Sequence, residues 1–140
     1  MKDKITVSCV KSNLKQIRRF VIEVLRRQHL EEVEIHSMVL AVDEVCANLI
    51  IHSNQCDPDK NIEVGIDTSK EDKITFDIID RGTGFDIRKY PEPDLDEIIR
   101  NKRKGGVGLM LVKKIMDEID FINNGDHSIV RLIKNIQPKG

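Results

Sequence analysis

The sequence predicts an α+β fold, a two-layer α/β sandwich with helices on one face of a mainly antiparallel sheet. Two observations predict it. Residues 62–66 and 74–78 alternate apolar and polar side chains, so each segment reads as a strand with one apolar face. Three other stretches carry apolar residues at helical spacing. Strands that are apolar on one side, grouped with amphipathic helices, bury both kinds of surface when the helices lie on one side of the sheet. The other sheet face is then left wet or covered by a partner. At 140 residues the chain is expected to form a single domain over 1–140, long enough for a core without disulfides or a structural metal.

The elements follow in order. Residues 5 to 10 suit a first strand. Ser12 then stands where a helix cap is expected, ahead of Leu14, Ile17, Val21, Val24 and Leu25 at helical spacing. The opposite face of that helix is basic, with Lys15, Arg18, Arg19 and Arg26. A second helix is expected from Glu31 to Ser53, its buried stripe marked by Ile35, Met38, Val42, Val45 and Leu49. The turn-forming residues from Asn54 to Asn61 end it. The two alternating segments come next, as a hairpin joined by the polar connection Thr68 to Lys73. From Arg81 to Lys104 glycines, Pro91, Pro93 and charges replace the alternation, with a short helix placed around Asp94 to Arg100. A stretch of that length marks a functional loop. Gly106 opens a third helix carrying Leu109, Val112, Ile115 and Met116, and strands near Ile119–Asn123 and Ser128–Ile133 close the chain.

Composition excludes several function classes. Lys and Arg number 23 against 24 Asp and Glu, a net charge of −1, so there is no bulk attraction to nucleic acid or anionic membrane. Cys9, Cys46 and Cys56 are odd in number and lack the paired spacing of zinc sites, and they read as reduced thiols of a cytoplasmic protein. No leader is expected behind Met1, nor a run near the roughly 18 apolar residues of a membrane span. His29, His36, His52 and His127 show no metal-ligand spacing, and His52, near the end of the second helix, is read as structural.

Three stretches carry chemistry. Between Met38 and Ile51 the polar side chains are Asp43, Glu44 and Asn48. Glu44 and Asn48 lie four apart on one helix face, beside Ala41 and Ile51, which do not belong to a solvated surface. An amide oxygen can take a magnesium ion alongside phosphate oxygens, and a carboxylate one turn away can accept a hydroxyl proton. Strand alternation then places Asp80 on the core side with Ile74, Phe76 and Ile78, where a carboxylate is costly without a partner. Gly82 and Gly84 follow at once and let the backbone pass close to a bound ring. A buried acceptor there favours the exocyclic amine of adenine over the carbonyl of guanine. Finally, Lys104, Gly105, Gly106, Val107, Gly108 and Leu109 lead into the third helix, whose unpaired amides and dipole can receive phosphates. This is neither a P-loop nor a dinucleotide fingerprint. Arg100, Lys102, Arg103 and Lys104 are either a solvated charged loop or a clamp on the triphosphate.

Taken in order, Asp43-Glu44-Val45-Cys46-Ala47-Asn48-Leu49-Ile50-Ile51-His52, then Asp80-Arg81-Gly82-Thr83-Gly84, then Gly106-Val107-Gly108-Leu109, the sequence resembles the GHKL ATPases of the gyrase, heat-shock chaperone, histidine-kinase and MutL superfamily. Within it, the chain looks most like the small anti-sigma-factor serine kinases of bacterial stress and sporulation control. The resemblance implies a left-handed α/β sandwich that binds ATP and Mg2+. It implies that Glu44 is the general base, Asn48 the magnesium ligand and Asp80 the adenine-recognising carboxylate. Gly82, Gly84, Gly106 and Gly108 match the nucleotide-binding turns, and residues 86–104 match the ATP lid. The substrate it implies is a serine on a small anti-sigma-factor antagonist protein, whose unphosphorylated form competes with a sigma factor for the kinase. A homodimer is also implied. The chain departs from the family pattern at Ser53, where a glycine often follows the histidine, and at His127-Ser128, where a Gly-Thr pair is usual. Ser128 still offers a hydroxyl near adenine.

Two rival functions share these residues. One is a nucleotide-dependent binding module that transfers no phosphate, against which Glu44 stands. The other is the catalytic half of a sensor histidine kinase, against which stands the lack of a helix pair carrying a phosphorylated histidine. The basic face of the first helix is a candidate protein-binding surface for the leading function.

Overall fold

The computed structural model describes residues 2–80 and 106–137. Strand β1 (Lys2–Ser8) is followed by a 3-10 turn at Lys11–Asn13 and helix α1 (Leu14–Arg26). Helix α2 (Glu32–Asn48) runs directly into one π turn, Leu49–Ser53. Strands β2 (Asn61–Asp67) and β3 (Lys73–Asp80) come next, then helix α3 (Gly106–Ile115) and strands β4 (Glu118–Asn123) and β5 (Ser128–Asn135). Among the described residues the strands form one sheet in the order β1-β2-β3-β5-β4, with every neighbouring pair antiparallel. This is the α+β sandwich expected from the sequence.

The alternation seen in the sequence becomes the layering. Ile62, Val64 and Ile66 of β2, Ile74, Phe76 and Ile78 of β3, and Val130 and Leu132 of β5 are buried on one face of the sheet. Helix α1 covers them with Ile17, Val21, Val24 and Leu25, and α2 with Ile35, Met38, Val42, Val45 and Leu49. Helix α2 packs against both α1 and α3. Burying each such Ile, Leu or Phe side chain contributes about 1.5–3 kcal/mol, so the central helix is fixed by its apolar stripe. The other sheet face is half-exposed and polar along much of its length. There Arg131 on β5 donates to both carboxylate oxygens of Asp77 on β3, from Nε at 2.8 Å and Nη2 at 3.1 Å.

Several boundaries differ from the sequence reading. The first strand starts at Lys2 and ends at Ser8, because its whole length pairs with β2, from Lys2 opposite Asp67 to Ser8 opposite Asn61. Ser12 does not cap α1. It lies within the 3-10 turn, and the residue at the cap position, Asn13, turns its amide back to donate to the carbonyl and hydroxyl of Ser8. At the start of α2, the carboxylate of Glu34 accepts from the backbone amide of Glu31 at 3.4 Å. The helical path does continue to Ser53, but its last five residues are wound as a π turn. Helix and turn together, Glu32–Ser53, reach a mean hydropathy of 1.3 over 18 residues. That figure matches a weak membrane span by length and composition, yet this stripe is the centre of the core.

Candidate functional site

The last two turns of α2 hold Asp43, Glu44 and Asn48, all partly buried, between the fully buried pairs Ala41-Val42 and Leu49-Ile50. The apolar residues on either side of this polar group are what hold the helix in place. Asp43 is tied to α1: Arg18 Nη1 donates to its Oδ1 at 2.8 Å. Glu44 carries a carboxyl whose pKa is raised above its ordinary value, first by burial and then by the neighbouring charge of Asp43. A carboxylate made more basic in this way is suited to accept a proton.

Asn48 ends the α-helical part. Its side-chain Nδ2 is buried and meets no hydrogen-bond partner among the described residues. An amide can turn either end to that place. With its oxygen there, it would be a dry, bare acceptor of the kind a hard cation takes up. Among the described residues no three of His, Cys, Asp and Glu converge as a metal cluster.

Beyond Asn48 the chain changes pitch. The amide of Asn54 closes the π turn on Leu49 O at 2.9 Å, and just beyond it the amide of Cys56 donates to Ile50 O at 2.8 Å. Gln55 and Cys56 take φ of 52° and 56°, the left-handed region, which reverses the chain away from the helix. The wider pitch turns Asn54 inward. It is 1 % exposed, and its side-chain Nδ2 donates to Leu49 O at 2.9 Å and to Asp80 Oδ1 at 3.3 Å. This one side chain ties the end of α2 to the end of β3. Residues 53–58 and Lys60 also line an open cleft of about 510 Å³.

Asp80 sits where strand alternation put it, on the core side and 1 % exposed. Directly across on β5 is Ser128, also buried, and on β2 is Ile62. Residues opposite one another in an antiparallel pair present side chains on the same face, so the Ser128 hydroxyl and the Asp80 carboxylate share one end of the core layer. Cys9 lies close enough to feel Asp80. Burial first, then the charges of Asp80 and Asp57, push its thiol up to about 11. Cys46 is raised further by burial, and neither buried thiol is a nucleophile at neutral pH.

Gly106, Val107, Gly108 and Leu109 form the first turn of α3, whose opening amides lack partners within the helix. Gly82, Gly84, Lys104 and Gly105, the stretch 86–104 and the short helix placed around Asp94 to Arg100 lie outside the described residues. His52 is exposed. The residue that sequence reasoning missed is Asn54. An asparagine in a turn-forming run needs no special explanation, and a helical period of 3.6 does not carry through a π turn.

A model of the family described as histidine kinase-like ATPase domain matches residues 8–134. The serine-protein kinase RsbW of Oceanobacillus iheyensis is 29% identical over 117 residues, covering 81% of this chain and 73% of that protein. Among solved structures, the RsbU and RsbW domains of a Mycobacterium tuberculosis protein align over 99% of this chain and 33% of that one. The TM-score is 0.68 at 16% identity. The SiaB–SiaC complex of Pseudomonas aeruginosa aligns over 96% of this chain and 89% of the matched chain, with a TM-score of 0.64 at 12% identity. At these identities the structures attest the shared fold.

Proposed function

This chain belongs to the histidine kinase-like ATPase domain family, and we propose that it is an ATP-dependent serine-protein kinase and anti-sigma factor. It acts by partner switching on a small antagonist protein. The use of ATP goes with the family, and the kinase reading with relatives such as RsbW. The observation that carries the site is the Asn54 bridge. It ties the end of the helical path that carries Glu44 and Asn48 to the buried carboxylate of Asp80, which supports reading a base-recognising acceptor and a proton acceptor as parts of one site.

In this reading Asp80 accepts from the exocyclic amine of adenine, with the Ser128 hydroxyl at its side. The first turn of α3 offers its amides to the phosphates, and Gly82, Gly84, Lys104 and Gly105 complete the nucleotide turns. Glu44 takes the proton of the acceptor serine. As the serine oxygen forms its bond to the γ-phosphorus, the bond from that phosphorus to the β,γ-bridging oxygen breaks and ADP leaves with the electron pair. Asn48 is the residue that would hold magnesium, which when bound offsets charge on the phosphates. The rest of catalysis is positioning, supplied by a helix locked into the core.

The partners follow the same reading: an anti-sigma-factor antagonist as substrate, a sigma factor as the alternative partner, and a second copy of the chain as a homodimer in the cytoplasm. Residues 1–140 act as one ATP-binding domain with a lid at 86–104. The test is a reaction of the chain with magnesium, ATP and candidate antagonist proteins, followed by intact mass. A single phosphoryl addition on an antagonist serine is expected. ATP-promoted binding of antagonists without any phosphoprotein, over long incubation, would replace the kinase with a nucleotide-dependent binding module.

A further inference from the structure

We propose that Asn54 is a positioning residue for base recognition, holding Asp80 as an oriented, acceptor-only carboxylate and so making the preference for a 6-aminopurine over a 6-oxopurine depend on it. The inference rests on the nucleotide reading above and deepens it.

The geometry carries it in three steps. First, the orientation of the Asn54 amide is fixed by chemistry. Nδ2 faces two acceptors, Leu49 O at 2.9 Å and Asp80 Oδ1 at 3.3 Å. Turned over, the amide oxygen would meet both, an arrangement of three acceptors without a donor. Second, a donor on a carboxylate favours its ionised form, whereas burial favours the neutral one. Asp80 is 1 % exposed. An ionised carboxylate can only accept, so it pairs with an exocyclic amine and repels an exocyclic carbonyl. A protonated one can donate, and would welcome the carbonyl. The donor from Asn54 therefore acts on the property by which Asp80 tells the two bases apart.

Third, both ends of the Asn54 amide are enclosed. Its Oδ1 is buried and without a donor among the described residues. A buried acceptor left bare is costly, and a side chain needed only to terminate the helix would have used Nδ2 on Leu49 O and kept Oδ1 in water. Here both ends are inside. The bare oxygen adds a second acceptor beside Asp80, so the environment at this end of the core favours a ligand that brings N–H donors.

The experiment measures affinity for ATP and for inosine triphosphate, which carries a carbonyl at the purine 6-position, using the full chain and its Asn54→Leu and Asn54→Ala variants. The unmodified chain is expected to bind ATP more tightly. In the variants that ratio should narrow by about tenfold, the worth of one hydrogen bond to a charged group. A fall in both affinities by one common factor, or no change, would overturn the inference and leave Asn54 as a tie between α2 and β3. If neither variant folds, the side-chain amide resonance of Asn54 in the unmodified chain decides. It should shift more with ATP than with inosine triphosphate, and equal shifts would overturn the inference. Failure of the unmodified chain to bind either nucleotide is a different result, because it would remove the nucleotide reading and this inference with it.

Discussion

Glu44 concentrates two opposing demands on one side chain. Its carboxyl is raised above an ordinary value near 4.5 by burial and by Asp43, which makes it a better proton acceptor and a worse contributor to folding. The folded chain holds this proton more tightly than the unfolded chain does. Stability therefore falls as pH climbs from the unfolded value through the folded one, and the deficit persists above it. Glu44→Gln should accordingly raise the melting temperature at pH 7 to 8, and the gain should vanish below about pH 4, where both states are protonated. A pH series of thermal melts on the two proteins checks this. The same substitution should cut phosphoryl transfer by at least about a hundredfold while sparing ATP affinity, as removal of a general base does. Unchanged transfer would take the proton-accepting role from Glu44. The positions of Glu44, Asn48 and Asp80 were legible in the sequence because each depends on a local period, 3.6 along a helix and two along a strand. Placing Ser128 opposite Asp80 required the register between β3 and β5, strands separated by nearly fifty residues, and no local pattern encodes that.

Helix α2 does most to place the site, and its ends are where sequence reasoning gave way. The buried stripe from Ile35 to Leu49 was readable as spacing. The π turn that follows was not, since Leu49–Ser53 carries the same apolar composition as an α-helical turn, and only its backbone bonds differ. The start of α1 differs from the sequence expectation for a related reason. Ser12 and Asn13 are both good cap residues, yet neither side chain caps the helix: Ser12 lies in the 3-10 turn, and the Asn13 amide is taken by Ser8 at the end of β1. The contact between α1 and α2 yields a prediction at this scale. Arg18 neutralises Asp43 at 2.8 Å, one residue from Glu44. Arg18→Ala should lower stability by about 0.5–1 kcal/mol in chemical denaturation, the range of a partly exposed ion pair. It should also let the charge of Asp43 act more fully on Glu44, moving the acid limb of the transfer rate to higher pH. Arg18→Lys, which keeps the charge, should restore most of that limb. A limb that stays in place in Arg18→Ala would show that Asp43 reaches Glu44 independently of α1.

At the scale of the whole molecule the alternation of two short segments and three amphipathic helices was enough to give the layers, but not the strand order. The arrangement β1-β2-β3-β5-β4 puts β3 in the middle of the sheet, and this is why its last residue, Asp80, is enclosed by β2, β5 and the end of α2 together. A ligand that contacts Asp80 must then stabilise several elements at once, because the chain can unfold only after releasing it. Binding to the folded state adds stability in proportion to the logarithm of ligand concentration over the dissociation constant, about 2.7 kcal/mol at a hundredfold excess. For a chain of this size that corresponds to a rise of about 8 °C at roughly 3 °C for each kcal/mol. ATP with magnesium should produce such a shift, GTP a clearly smaller one, and Asp80→Asn should bring the two together, because an amide can turn either a donor or an acceptor to the base. Thermal melts at matched nucleotide concentration measure all three. Equal shifts with ATP and GTP in the unmodified chain would mean that the base is not read by the buried carboxylate, and the site would have to be rebuilt around the phosphates alone.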